Sequence, residues 1–235
     1  MRARNAQERR TALSSARLML LFTPELCVGT DPRTRLATML PLVDVVQIRI
    51  KPRATETVLP GTTSRQATAK ETFEWALVAL ELSAELDEPP LLIVNDRVDV
   101  ALALAKRGVD GVHLGRGDFP TTAARELLGP DALIGLSTHD VIQVAMAEEQ
   151  DADYVGFGPI FATQTKGYER AIGPEAAWVA SIGSGLPLFP IGGIDALNVN
   201  SLAEVGRAAI SSALLGAENP VEVAAVLREA LEGNR

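Results

Sequence analysis

Short runs of apolar residues, rich in β-branched and aromatic side chains, recur along the chain and predict eight β-strands. The runs begin at Leu18, Val45, Leu91, Gly111, Ala132, Tyr154, Pro187 and Arg207. Nearly every position in each run is apolar, which is typical of parallel strands that are buried on both faces. A segment with apolar residues three and four apart follows each run, so we expect strands and helices to alternate along the whole chain.

Most of these runs start about 20 residues apart, the length that one strand, one helix and two short loops require. Eight such units predict an α/β protein with a single-domain (β/α)8 TIM barrel over residues 18–235. An open doubly wound sheet is the alternative, because strand number and spacing do not by themselves prove closure. Residues 52–66 and 162–173 lengthen two of the units, and we expect both segments to be mobile loops that cover the site, with plain surface insertions as the alternative.

The residues before the first strand, 1–17, are basic and polar, and they predict a flexible leader, with an organellar transit peptide as the alternative. The net charge of −8 argues against a general affinity for nucleic acid or for an anionic membrane. No apolar run reaches the ~18 residues of a membrane-spanning helix. The single cysteine, Cys27, cannot form an internal disulfide, which favours a reducing, cytoplasmic location. The oligomeric state stays open, and a homo-oligomer is compatible with the sequence.

Polar residues stand where the predicted strands end, and the carboxyl ends of barrel strands meet at one mouth. Gln47, Arg49 and Lys51 alternate with isoleucines, so they share one face of the second strand. The next strands end in residues with oxygen or amide groups: Asn95, Asp96, Asp118 and Ser137. Two carboxylates from adjacent strands suit Mg²⁺. Each aspartate alone would also suit a helix N-cap.

The last three strands contribute a different set of residues. The sixth leads into a glycine-rich loop with Thr163, Thr165 and Lys166. The seventh ends in Gly192 and Gly193, and the eighth in Ser211 and Ser212. Loops seven and eight of this barrel often bind phosphate through backbone N–H groups and a helix N-terminus. A tight turn is the alternative for the glycine pair alone.

Two anion sites at one mouth predict a Mg²⁺-assisted transferase or lyase that acts on phosphorylated small molecules. The site formed by strands two to four, with its cations and carboxylates, suits a diphosphate. We interpret His113 as an orienting or packing residue. His139 is a candidate acid–base group near a helix start.

The assembled motifs resemble those of the thiamine-phosphate synthase and thiazole tautomerase family. The segments QIRIK, IVNDRVDVALA, GVHLGRGD, GLSTH, ADYVGFGPIFATQTK, PIGGI and SSALLGAENP stand in the family's order between about Leu18 and Pro220. The resemblance implies a (β/α)8 barrel that joins a pyrimidine diphosphate to a thiazole phosphate and releases pyrophosphate. It implies a dissociative, Mg²⁺-assisted reaction without a general base, because the attacking thiazole nitrogen has no proton to lose.

The resemblance also implies roles for individual residues. Mg²⁺ would be bound by Asp96 and Asp118. The diphosphate would be held by Arg49, Lys51, Asn95, Ser137 and Lys166, of which Arg49, Ser137 and Lys166 would be catalytic. Gln47 would face the pyrimidine. The thiazole phosphate would be bound by Thr163, Thr165, Gly193, the Ser211 backbone and Ser212.

The sequence departs from the family pattern at Gly117, where an acidic residue usually precedes the second aspartate. The segments after Lys51 and Lys166 also differ. Two other functions stay open. A thiazole tautomerase would use His139 and would not need the diphosphate residues, and a non-catalytic regulator would only bind phosphate.

Overall fold

All eight predicted strands form, and each begins at the predicted residue or one residue later. The computed structural model describes residues 3–50, 69–162 and 171–233. The strands are β1 Leu18–Phe22, β2 Val45–Ile48, β3 Leu91–Asn95, β4 Gly111–Leu114, β5 Leu133–Thr138, β6 Tyr154–Phe157, β7 Leu188–Pro190 and β8 Ala208–Ile210. They are almost wholly buried, in agreement with their continuous apolar pattern.

The strands pair in parallel in the order β8-β1-β2-β3-β4-β5-β6-β7, so each strand lies beside its neighbour in sequence. A parallel bridge between Ile191 and Ala209 joins the two outer strands. The sheet therefore closes into a barrel, and the open doubly wound alternative is wrong.

Helices surround the barrel and begin with recognisable signals, such as Asp31 and Asp140, whose carboxylates accept backbone N–H groups in the first turn. The helices of the described residues are α1 Ala6–Ser15, α2 Pro32–Met39, α3 Ala69–Ser83, α4 Val98–Leu104, α5 Thr121–Leu128, α6 Val141–Glu149, α7 Pro174–Ile182, α8 Ser212–Leu215 and α9 Pro220–Glu232. None of these helices combines the length and the hydropathy needed to cross a membrane.

The connection from β7 to β8 does not contain the predicted α-helix. It forms a short 3₁₀ turn, Val199–Leu202. Before this turn, the Asp195 carboxylate accepts the backbone N–H groups of Leu197 and Asn198. Such local bonds compete with helix formation, which explains why the expected alternation fails here.

The apolar core has two layers, one inside the barrel and one between the barrel and its helices. The outer layer is the larger. Large aromatic side chains, Tyr154 and Phe189, fill much of the inner layer, and their rings pack edge to face. The inner layer thus forms the floor of any cavity at the carboxyl ends of the strands.

The segment expected to be a flexible leader is instead a helix over residues 6–15, which is α1. Asn5 and Glu8 form a reciprocal capping box at its start. Leu13 belongs to the inner core layer, and Arg9 pairs with the buried Asp110. Helix α1 therefore covers the amino-terminal end of the barrel. Few of its residues are apolar, so its stabilising contacts come from distant parts of the chain and the local pattern does not reveal them.

Three aspartates, Asp44, Asp110 and Asp153, directly precede the even-numbered strands β2, β4 and β6; we call them the basal aspartates. Each carboxylate accepts a backbone N–H from the start of the preceding strand at 2.8–2.9 Å, from Leu18, Leu92 and Ile134 respectively. Each also pairs with arginine: Arg228 with Asp44, Arg4 and Arg9 with Asp110, and Arg10 and Arg125 with Asp153. The basal aspartates thus tie neighbouring strands together at one end of the barrel.

We expect Asp110→Ala to lower the free energy of unfolding by about 3–5 kcal/mol, because it leaves the buried Arg9 guanidinium without its carboxylate. Urea unfolding measures this loss. The matched control is Glu81→Ala, which breaks an exposed pair with Arg33 and should leave the free energy of unfolding almost unchanged. Equal losses in the two variants would contradict the assigned role of Asp110.

Candidate active site

A cavity of about 120 Å³ opens at the carboxyl ends of the strands. Its floor is apolar and includes Met19, Leu21 and Phe189. Most of the predicted site residues of the described chain line this one cavity: Gln47, Arg49, Asn95, Ser137, Gly193, Ser211 and Ser212. The predicted residues Lys51, Thr163, Thr165 and Lys166, with most of both covering segments, lie outside the described residues.

The two predicted metal-binding carboxylates do not line the cavity itself, but Asp96 interacts with Asp118 and with two residues that do, Arg49 and Asn95. Asp118 lines an adjoining groove that shares Ser137 with the cavity. The Asp118 carboxylate accepts the backbone N–H of Gly115 at 2.7 Å, which holds the side chain in place. Neither aspartate caps a helix, because the cap positions of α4 and α5 are Arg97 and Pro120. Their side chains are therefore available for a ligand.

The environment of the Asp96 carboxyl disfavours its ionised form. Burial and, to a lesser extent, the facing carboxyl of Asp118 raise its pKa to about 6, against the opposing effect of the Arg49 charge. The Asp96 backbone has φ of 62°, in the left-handed region that few residues other than glycine adopt. Strain and charge repulsion held together at one residue are typical of a functional site.

The donor set fits Mg²⁺. This ion usually takes one or two carboxylates and completes its octahedron with water and substrate phosphate. Within the described part of the chain, no His, Cys, Asp or Glu joins Asp96 and Asp118 to form a cluster of three or more. Such a pair is suited to an ion that arrives with its substrate.

Arg49 supplies positive charge beside this pair. Its backbone N–H donates to the carbonyl of Phe22 at 2.9 Å, which fixes the chain just beyond β2. Burial lowers the pKa of its guanidinium, and the charge of Asp96 raises it again. Arginine nevertheless stays protonated, so a partly desolvated cation faces the cavity.

On the other side of the mouth, two glycines with positive φ follow β7, Gly192 at 99° and Gly193 at 65°. Here the backbone passes close to the segment that follows β6. A Cβ at Gly193 would lie 2.8 Å from the carbonyl oxygen of Ala162, so no larger residue fits without movement. Helix α8 begins at Ser212, directly after β8, so its first turn faces the same mouth. Close backbone and a helix start together suit a phosphate. We call this part of the mouth the glycine cradle.

Comparison with known proteins shows to which family the chain belongs. The family model described as thiamine monophosphate synthase matches residues 18–214. The chain belongs to this family. The match spans all eight strands and every site residue described above.

Among its relatives, the thiamine-phosphate synthase of Chlorobium luteolum is 38% identical over 222 residues, which cover 91% of this chain and 95% of that protein. That of Parasynechococcus marenigrum is 46% identical over 136 residues, which cover 57% of this chain and 38% of that protein. In several other thiamine-phosphate synthases that it matches, the chain spans about half or less of their length, between 36% and 51%.

Among solved structures, the thiamine phosphate pyrophosphorylase of Pyrococcus furiosus superposes with a TM-score of 0.72. It is 29% identical, and the match covers 95% of this chain and 97% of that one. The predicted TIM barrel and the family resemblance are thus both confirmed.

One member of the site, which the sequence analysis did not single out, is Tyr154 of β6. It is fully buried beneath the cavity, and its hydroxyl lies 3.1 Å from Nδ1 of His113. Nε2 of His113 lies 3.0 Å from Oγ of Ser137. His113 thus contacts both side chains, and its role as an orienting or packing residue stays a prediction. Tyr154 resembles any buried strand residue in the sequence, so no local signal identifies it.

His139 also lines the cavity, but its ring is already engaged. Nδ1 lies 2.6 Å from the carbonyl oxygen of Gly158. A carbonyl oxygen only accepts hydrogen bonds, so Nδ1 of His139 carries the proton.

We expect Asp96→Asn to stabilise the protein in metal-free buffer. The pKa of Asp96 is about 6 in the folded protein and 3.8 in the unfolded reference, so its ionisation costs stability as the pH rises from about 4 to 6. Asparagine carries no charge and tolerates the left-handed conformation. Urea unfolding in EDTA should show a gain of about 1–2 kcal/mol at pH 8 that disappears below pH 4. An equal or lower stability at pH 8 would show that the carboxylate is not strained.

Proposed function

We propose that this chain is a thiamine-phosphate synthase, a transferase. It joins 4-amino-2-methyl-5-hydroxymethylpyrimidine diphosphate to 4-methyl-5-(2-phosphoethyl)thiazole and releases pyrophosphate. The observation that carries the proposal is the single cavity with two anion-binding ends. Arg49 and Ser137 line one end, next to the aspartate pair, and the glycine cradle lines the other. Family membership supports the same reaction.

The diphosphate binds at the end formed by strands two to five. Arg49, Asn95 and Ser137 contribute from the cavity wall, and Lys51 and Lys166 contribute on the basis of the sequence. Asp96 and Asp118 hold Mg²⁺, which when bound neutralises charge on the departing diphosphate. The Ser137 hydroxyl donates a hydrogen bond to the same leaving group.

The thiazole phosphate binds in the glycine cradle. Gly193, the Ser211 backbone and Ser212 supply backbone and hydroxyl groups there, together with Thr163 and Thr165 on the basis of the sequence. The Ser211 hydroxyl donates to the carbonyl of Leu21 at 2.9 Å, so this side chain supports the wall, and its backbone remains the group for phosphate. Gln47, almost fully buried, faces the pyrimidine.

The reaction follows from this placement. The bond between the pyrimidine methylene carbon and the diphosphate oxygen breaks first, and the electron pair leaves with pyrophosphate. The thiazole nitrogen then donates its lone pair to that carbon and becomes the positive thiazolium nitrogen. No proton is transferred in this step. The apolar floor of Met19, Leu21 and Phe189 keeps water away from the cationic carbon, which would otherwise be hydrolysed.

The test of this function is pyrophosphate release by the purified chain with both substrates and Mg²⁺, with each component omitted in turn and with an EDTA control. We expect release, with thiamine phosphate formed, only when all three are present. Asp96→Asn should lower turnover by about 100-fold or more while the protein remains folded, because it removes a charged ligand of the cation. Binding of thiazole phosphate without pyrophosphate release would instead favour a tautomerase or a phosphate-binding regulator.

A second prediction concerns Gly117, next to the proposed cation site. A Cβ at this position would have no heavy atom within 4 Å, so a longer side chain fits. We expect Gly117→Glu to lower the Mg²⁺ concentration for half-maximal turnover by about threefold, because it adds negative charge beside Asp118. The matched control is Leu127→Glu, which adds the same charge at an exposed position near the end of α5. A similar change in both variants would show a general charge effect rather than a local one.

A further inference from the structure

Beneath the diphosphate end of the cavity, three side chains form a continuous hydrogen-bonded series inside the barrel. His113 lies in the middle, with Nε2 at 3.0 Å from Oγ of Ser137 and Nδ1 at 3.1 Å from the hydroxyl of Tyr154. Tyr154 is fully buried, and the rings of His113 and Tyr154 have centroids 5.5 Å apart. The proposed reaction assigns a role to Ser137 and none to Tyr154.

Two glycines make room for this series. Gly135 of β5 pairs in register with His113 on one side and with Tyr154 on the other. A Cβ at Gly135 would lie 2.1 Å from Cζ of Tyr154, so the tyrosine ring occupies the space that a side chain would need. Gly156 pairs with Ser137, and a Cβ there would lie 3.3 Å from Cε1 of His113. A glycine weakens a strand, so glycines at both positions indicate that the close approach of these rings matters.

The donors and acceptors of the series can be ordered. The side chain of Gln47 lowers the pKa of the Tyr154 hydroxyl, against the stronger opposite effect of burial. A phenol hydroxyl can donate to an imidazole nitrogen, and the 3.1 Å contact lets the Tyr154 proton point to Nδ1 of His113. When a neutral His113 ring accepts at Nδ1, its single proton is on Nε2, which then donates to Oγ of Ser137. With Oγ accepting from His113, the proton of Ser137 is directed toward another acceptor.

We propose that Tyr154 is a positioning residue that acts through His113 to turn the Ser137 hydroxyl proton toward the leaving diphosphate. This assignment rests on the proposed function. The series also links the two ends of one substrate, because Gln47 faces the pyrimidine and Ser137 faces the diphosphate. With the opposite tautomer, Nε2 of His113 would accept the Ser137 proton, and the leaving group would lose that donor.

The first test reads the tautomers directly in the resting protein. The chain has only two histidines, so ¹⁵N spectra of histidine-labelled protein in alkaline buffer contain two imidazoles. We expect His113 to carry its proton on Nε2 and His139 to carry it on Nδ1, because Nδ1 of His139 donates to Gly158. In Tyr154→Phe, His113 should become a mixture of tautomers while His139 stays unchanged. A wild-type His113 protonated on Nδ1 would overturn the proposal.

The second test uses turnover. We expect Tyr154→Phe, which keeps the ring, to lower kcat about tenfold and to leave KM for the thiazole phosphate unchanged, the equivalent of one well-placed hydrogen bond. In a Ser137→Ala background, Tyr154→Phe should cause no further loss, because the group through which it acts is absent. The same tenfold loss in that background would show that Tyr154 acts by another route, and the proposal would fail.

A packing control separates positioning from stability. Val144→Ala, in the outer core layer on α6, should lower Tm without changing kcat. If Val144→Ala reduces kcat as Tyr154→Phe does, the effect is structural and the proposal is overturned. Absence of pyrophosphate release by the wild-type chain would overturn the proposed function instead, and the histidine spectra would still decide the direction of the hydrogen-bonded series.

Discussion

Each basal aspartate joins the beginnings of two neighbouring strands, and the geometry of the mouth depends on these joins. The carboxylate accepts an N–H from one strand while its own backbone leads into the next. Successive residues of a strand point to opposite faces, so a slip by one residue would turn every inward side chain outward. Gln47 and His113 each lie three residues beyond a basal aspartate. The ion pairs at the base of the barrel thus set the strand register, and the register decides which polar side chains point inward at the mouth.

Several residues of the site have locally unfavourable conformations or environments. Asp96 has a left-handed backbone and faces a second carboxyl, and Arg49 is partly desolvated. Glycines interrupt the strands β5 and β6. The large outer layer of apolar contacts between sheet and helices offsets these costs. This division explains why the barrel tolerates a strained mouth, since the stabilising contacts and the reactive groups belong to different layers.

Much of the fold could be predicted because buried parallel strands are continuous apolar runs, and all eight runs are visible without a structure. The aspartates, Arg49 and the glycine pair could also be identified, since polar residues at the ends of such runs converge by topology alone. Helix α1 could not, because its burial depends on Asp110, about 100 residues away. Tyr154 could not, because its role depends on two glycines that become its neighbours only through strand register. The roles of Lys51, Thr163, Thr165 and Lys166 stay predictions from the sequence.

Helix α1 has a consequence for how the barrel can be joined to other polypeptides. Arg4, just ahead of the helix, donates to the carbonyl oxygens of Pro89 and Pro90 and pairs with Asp110 at the base of the barrel. Anything attached before this point leaves the molecule on the side opposite the mouth. A polypeptide joined ahead of Arg4 would therefore start at the base of the barrel, with the whole length of the strands between it and the mouth.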